Sequence, residues 1–324
     1  MEYRKLGRSG LKVSAIGLGT NAFGKRADKE TSIRIVHEVI DAGVNFIDTA
    51  NIYTDTESER IIGEALVGKR HNVVLATKVG LVRNQGPNGR GSSRYHIRQE
   101  IEGSLKRLKT DYIDVYQIHT FDPETPLEET LSTLDDLVHE GKVRYIGASN
   151  YAAWELMKVL SISDKLGLSR YISIQPCYSL ADRTPEQELV PVCLDQGVGV
   201  IPYFPLAGGI LTGKYSSRDS IPAGSRAEKD PNFAKRLDEK YVVLGRQVSE
   251  LANKLGCTPA VLSLAWLLKQ RAVSTIIVGA TKVEQVQSNL QAASFEVDSQ
   301  TMDELNRISD TFRYGLPFGF YRLS

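Results

Sequence analysis

Eight short apolar runs, each followed by a stretch with helical spacing, set the tightest limit on what this chain can become. The runs span 15–18, 45–47, 73–76, 113–118, 145–148, 172–174, 199–201 and 275–278. Several are rich in valine and isoleucine and lack polar alternation, as strands buried on both faces of a helix-covered parallel sheet do. Between them, apolar residues recur three and four apart: Ile33, Val36, Ile40; Ile97, Ile101, Leu105, Leu108; Leu127, Leu131, Leu134, Val138. Each stripe predicts an amphipathic helix. Thr56 with Glu59, and Thr125 with Glu128, have capping-box spacing. Pro126 and Pro259 follow threonines, which suits the first position of a helix.

Eight strand–helix units predict one (β/α)8 TIM barrel, a single domain over residues 1–324. Two short segments around Gly7-Arg8-Ser9-Gly10 predict an N-terminal β-hairpin ahead of it. A doubly wound open sheet competes with the barrel, but it would normally carry GxGxxG after its first strand. Gly17-Leu18-Gly19-Thr20-Asn21 lacks the third glycine. Long loops are expected at the C-terminal face, chiefly 202–235, which holds four prolines and follows the seventh barrel strand.

With 40 basic and 39 acidic residues, the net charge is +1. That balance points to neither nucleic acid nor an anionic membrane surface. Three scattered cysteines (Cys177, Cys193, Cys257) and five scattered histidines show no disulfide framework and no metal pattern. The N-terminal stretch is polar, and no apolar run approaches the roughly 20 residues that cross a bilayer. Cytoplasmic residence is the expectation.

Barrel enzymes carry their chemistry where the strands end. Reading the residues just after each run gives Asp48 with Tyr53 close behind, Lys78, His119, Ser149-Asn150, Gln175, Tyr203 and Gly279-Ala280-Thr281-Lys282. Each has an ordinary reading alone: Asp48 as a cap, Lys78 as a surface lysine, His119 as a satisfied core histidine. Together on one rim they have a chemical one. A phenol with a pKa near 10 is a poor acid at neutral pH, and an adjacent ammonium favours its anion. A carboxylate keeps that ammonium charged and oriented. An imidazole can bond the same substrate oxygen. The four make a polarised proton donor suited to a carbonyl that is accepting hydride.

This set resembles the catalytic tetrad of the aldo-keto reductases: Asp48, Tyr53, Lys78 and His119. Gly43-Val44-Asn45-Phe46-Ile47-Asp48-Thr49-Ala50, Ala76-Thr77-Lys78-Val79-Gly80 and Asp111-Tyr112-Ile113-Asp114-Val115-Tyr116-Gln117-Ile118-His119 resemble the family's motifs around those residues. The resemblance implies reversible NADPH-dependent reduction of aldehydes or ketones, with Tyr53 as general acid, a small-molecule carbonyl substrate and no metal. It also implies the cofactor contacts. Ser149, Asn150 and Gln175 are similar to the residues that hold the nicotinamide carboxamide, and Tyr203 to the one stacked on the ring. Pro205, Leu206, Gly208 and Lys214 resemble the pyrophosphate loop, and Gly19, Thr20, Asn21 and Asp48 are further implied cofactor contacts. Gly279, Thr281, Lys282, Gln285 and Asn289 resemble the clamp on the adenosine 2′-phosphate and adenine.

There are two departures. Phe204 stands where the family usually has serine or threonine, so a phosphate contact is missing. Thr281 stands where many members have arginine, leaving Lys282 as the substitute. A lysine is a point charge rather than a fork, so NADH is expected as a weaker alternative. The loop 83–94, with Arg83, Arg90 and Arg94, reads either as a solvated loop or as an anion-binding lid. The aromatic tail 312–323 could line a pocket, cover the barrel or meet another subunit. Two other functions compete: a non-catalytic NADP(H)-binding regulator resembling potassium-channel β subunits, and a Schiff-base lysine at Lys78.

Overall fold

The computed structural model describes residues 1–215, 217, 221–234 and 237–315. Strands β1 (Tyr3–Lys5) and β2 (Lys12–Ser14) form an antiparallel hairpin. Eight parallel strands follow: β3 (Ile16–Gly19), β4 (Phe46–Asp48), β5 (Val74–Val79), β6 (Ile113–Ile118), β7 (Val143–Ser149), β8 (Tyr171–Gln175), β9 (Gly199–Val200) and β10 (Ile276–Gly279). They lie in the order β10-β3-β4-β5-β6-β7-β8-β9. The sheet curls until its edges meet. Val200 bridges Val273, Ser274 N donates to Val200 O at 3.0 Å, and Ile277 N donates to Pro202 O at 3.0 Å. The fold is a (β/α)8 barrel behind an N-terminal hairpin, as the alternation of runs and stripes implied.

Strand alternation divides the buried residues between two cores. Inward-facing Phe46, Val74, Ala76, Val115, Ile201 and Ile277 form an inner cluster, joined from below by Leu6 and Val13 on either side of the hairpin turn. Outward-facing Ile47, Leu75, Tyr116 and Ile118 join the larger cluster beneath the helices. Gly7 is required where the hairpin enters. Its φ is +58°, and a Cβ there would lie 2.6 Å from the carbonyl oxygens of Gly197 and Ile172.

The helical stripes are found with small shifts. In Lys29–Asp41 the fully buried apolar positions are Ile35, Val36 and Val39, with Ile33 and Ile40 flanking them. Asp28 caps that helix by accepting from Thr31 N at 2.7 Å. Thr258 caps Pro259–Leu268 by accepting from Val261 N, so Pro259 is the first helical residue. The two expected capping boxes do not form. Thr56 precedes Glu57–Ala65 in a left-handed conformation and makes no side-chain cap. Glu59 turns inward, to Thr77 and Arg107. Thr125 Oγ1 donates to Asp122 Oδ2, and Pro126 lies just before the helix Leu127–His139 rather than inside it.

In its described residues the long segment after β9 includes short regular elements. It holds a 3-10 turn, Ala207–Thr212, with Gly208 and Gly209 left-handed, then the short helices Arg226–Lys229 and Pro231–Ala234. In 83–94 all three arginines meet carboxylates: Arg83 with Asp55, Arg90 with Glu124, Arg94 with Asp136. That favours the solvated loop. Cys177 and Cys193 are buried, Cys257 is half-buried, and all three are free thiols. Of the aromatic tail, Phe312 is buried with its ring 5.1 Å from that of Tyr241, and Tyr314 is exposed. Phe318, Phe320 and Tyr321 lie outside the described residues.

Candidate active site

Parallel register brings the strand ends to one rim. Asp48 pairs with Gly19 on one side and Ala76 on the other, Lys78 with Gln117, and Ser149 with Gln175. Phe46 and Val74 face inward, so period-2 alternation sends Asp48 and Lys78 into the barrel as well.

Lys78 is wholly buried, and each of its ammonium hydrogens has an acceptor. Nζ lies 2.6 Å from Asp48 Oδ2, 2.8 Å from Thr49 O and 3.1 Å from Tyr53 Oη. Burial alone would lower its pKa. Asp48 and then Tyr53 outweigh that, and the net shift is upward. The other oxygen of Asp48 accepts from Gln175 Nε2 at 2.9 Å and Gln117 Nε2 at 3.2 Å. A buried charge persists only when paired and hydrogen-bonded, and this one is.

Tyr53 stands in the loop after β4, with its ring edge-on to His119 at 5.9 Å between centroids. Burial, and then the charge of Lys78, pushes His119 well below the usual imidazole value of 6.5. It is therefore neutral at physiological pH. Its Nδ1 is buried without a partner among the described residues, so no protein acceptor holds the proton on that nitrogen. Asn150 Nδ2 donates to His119 O at 3.0 Å and to Ser149 Oγ at 2.9 Å. Asn150 Oδ1 accepts from Tyr203 Oη at 2.7 Å.

These groups border a cleft of about 440 Å³ that runs across the barrel mouth. Asp48, Tyr53, His119, Ser149, Asn150, Gln175 and Tyr203 wall one part, and Ile52 and Leu81 add apolar surface beside Tyr53. Gly19, Thr20 and Asn21 continue along one side, Pro205, Leu206, Gly208 and Lys214 along the other, and Gly279, Thr281 and Gln285 reach its far end. Lys78 supports the wall from behind. Two expected residues sit elsewhere. Lys282 is exposed, just before the helix Val283–Leu290. Asn289 borders a separate small crevice beside Ile16 and Val39. At the far end, Gln285 Oε1 accepts from the backbone N–H groups of Thr281 and Lys282, at 2.7 and 3.3 Å.

The structure also brings in residues that the sequence reading passed over. Gln117 is a second amide donor to Asp48, beside Gln175. Arg26 and Arg226 line the cleft with Lys214. Burial first, and then these two guanidinium groups, lower the pKa of Lys214. Asp230, 3.6 Å from Arg226, offsets part of that positive charge. Cations gathered in a cleft suit a bound di-anion, so the walls fit the pyrophosphate of a dinucleotide. Phe204, which has no hydroxyl to offer a phosphate, makes a different contact. It is left-handed at φ +53°, and Arg226 Cζ lies 4.7 Å from its ring centre and 5.2 Å from that of Phe233. Such stacking holds a guanidinium in place.

Among the described residues no group of three or more His, Cys, Asp and Glu side chains could hold a metal ion. No single described helix is long and apolar enough to cross a membrane.

Residues 15–310 match the Aldo/keto reductase family. The chain is 40% identical to an uncharacterized oxidoreductase, YrpG, of Bacillus subtilis (strain 168), covering 95% of this chain and 96% of that one. It is 38% identical to a probable voltage-gated potassium channel subunit beta of Oryza sativa subsp. japonica, covering 90% and 91%. It is 35% identical to versiconal hemiacetal acetate reductase of Aspergillus parasiticus, covering 94% and 96%.

Proposed function

The chain belongs to the aldo/keto reductase family, and from that premise we propose that it reduces aldehyde and ketone carbonyls with NADPH, Tyr53 giving the proton. One observation carries the reading: a buried ammonium whose three hydrogens go to a carboxylate, a backbone carbonyl and the Tyr53 phenol.

NADPH, when bound, supplies the hydride that goes to the carbonyl carbon. The rest is the work of this chain. Lys78 favours the phenolate that Tyr53 becomes as its proton leaves. Asp48 keeps Lys78 charged, and Gln117 and Gln175 keep Asp48 in place. His119, neutral and with no partner for Nδ1 among the described residues, serves as a donor to the substrate oxygen through Nε2. Ile52 and Leu81 receive the apolar part of the substrate. Ser149, Asn150, Gln175 and Tyr203 would hold the nicotinamide, and Lys214, Arg26 and Arg226 the pyrophosphate. The 2′-phosphate would lie towards Thr281 and Lys282, with Gln285 turning aside to release the two N–H groups it now occupies. Exposed Lys282 is a weak discriminator, which supports NADPH as the preferred cofactor and NADH as a poorer one.

The bonding of Lys78 speaks against a Schiff-base role, because an ammonium donating three hydrogen bonds has no lone pair to attack a carbonyl. The likeness to a potassium channel subunit beta supports a second reading, an NADP(H)-binding regulator. A panel of aromatic aldehydes and dicarbonyls, run with NADPH and with NADH, separates the two. Carbonyl-dependent oxidation of NADPH, faster than that of NADH, is expected. Tight NADPH binding with no turnover on any carbonyl would leave the regulator.

A further inference from the structure

Behind the barrel wall, on the side away from the cleft, lies a buried ionic cluster that the chemistry above does not use. Glu59, on the helix Glu57–Ala65, has no solvent exposure. It accepts from Thr77 Oγ1 and from Arg107 Nε, both at 2.6 Å. Glu100, on Arg94–Leu108, is 5% exposed. It accepts from Asn51 Nδ2 at 2.7 Å, and Arg107 lies 4.0 Å away. The Tyr116 hydroxyl is buried without a partner among the described residues. Burial first, and then Glu59 and Glu100, push its pKa far up. Two carboxylates thus share one arginine in a dry setting. Such an arrangement is weak evidence for stability and is better explained by the geometry it imposes.

That geometry concerns the site. Thr77 precedes Lys78, so alternation points it outward to Glu59 while Lys78 points inward to Tyr53. Asn51 lies two residues before Tyr53, and its backbone N–H donates to Lys78 O at 3.2 Å. The loop between them and the next helix is poor at holding itself. Thr54, Asp55 and Thr56 are consecutive left-handed residues with side chains, a conformation that persists only when its surroundings impose it. Gly63 lets the two helices come close enough to do so, since a Cβ there would lie 2.3 Å from Arg107 O.

We propose that Glu59 and Glu100, joined through Arg107, are positioning residues that hold the Tyr53 loop and the Lys78 strand in register, Glu100 acting through Asn51 and Glu59 through Thr77. The inference rests on Tyr53 being the proton donor, so Tyr53→Phe is assayed alongside. In Thr77→Val and Asn51→Leu, kcat should fall about ten-fold, by misplacement of the acid. The alkaline limb of the kcat–pH profile should move upward, because a looser Lys78 favours the phenolate less. The Kd for NADPH should stay unchanged. Glu100→Gln, which still offers Asn51 an acceptor oxygen, should keep near-wild-type kcat. Retained turnover in Tyr53→Phe overturns this proposal together with the assignment of Tyr53. An inactive Tyr53→Phe, with Thr77→Val and Asn51→Leu folded and unchanged in kcat and pH profile, overturns this proposal alone. Should Asn51→Leu fail to fold, Thr77→Val decides.

Discussion

At the tyrosine end of the cleft, side chains come from strand ends and lock one another. Lys78 holds Asp48 and Tyr53, Gln117 and Gln175 hold Asp48, and Asn150 holds Tyr203 and the backbone of His119. At the adenosine end the residues come from a loop and the first turn of a helix. Lys282 and Gln285 are exposed and Thr281 is half-buried. Their one shared arrangement is Gln285 folded back over two N–H groups. The first region should resist substitution, because Asp48, Lys78, His119, Asn150 and Gln175 are buried and their polar groups are tied into one network. The second is mostly exposed, so a change of side chain there breaks few contacts. On the proposed reading, the rigid end sets the reaction type and the adjustable end the choice of cofactor.

The contrast is broken most forcefully at its rigid end. Tyr53→Phe should lower kcat by about 10²- to 10⁴-fold, the ordinary contribution of a positioned acid, with NADPH binding little changed in a fluorescence titration. Comparable turnover would remove the tyrosine from the mechanism. The adjustable end should respond less, and differently for its two kinds of cation. Arg226→Met should weaken NADPH and NADH alike, by about ten-fold, as loss of a charged hydrogen bond to the shared pyrophosphate does. Lys282→Ala should weaken NADPH alone, by about two- to five-fold, the range of an exposed ion pair. Equal weakening of both cofactors by Lys282→Ala would contradict its assignment to the 2′-phosphate.

A further effect concerns stability and pH. His119 has a folded pKa well below 6.5, through burial and then Lys78. The unfolded chain therefore binds the extra proton over the interval between the two values. The stability from keeping this imidazole neutral is complete above 6.5 and declines as pH falls towards the folded value. Urea denaturation of wild type and His119→Asn should diverge below that point, with slopes differing by at most about 1.4 kcal/mol per pH unit. Parallel curves would show that His119 titrates normally.

Much of the rigid end was legible because a parallel barrel repeats one rule: a run of valine and isoleucine ends, and the next residues face the mouth. Asp48, Lys78, His119 and Gln175 all follow that rule. Gln117 obeys the same alternation, but it sits inside an apolar run and reads as core. Glu59 was masked by chance spacing, since three residues after a threonine is also where a capping box places its glutamate. Arg26 and Arg226 reach the cleft from segments 200 residues apart, where no local period links them. The ring of Phe204 could be seen as a departure from the family, but its stacking on Arg226 is a tertiary fact.

The hairpin below the barrel has a consequence for the chemistry above it. Leu6 and Val13 complete an apolar floor with Phe46, Val74 and Val115, one layer beneath the lysine–carboxylate couple. An apolar floor keeps the local dielectric low, and water rising through the barrel axis would weaken the attraction between Lys78 and its partners Asp48 and Tyr53. If Tyr53 gives the proton as proposed, the first fourteen residues bear on the chemistry from the opposite end of the barrel.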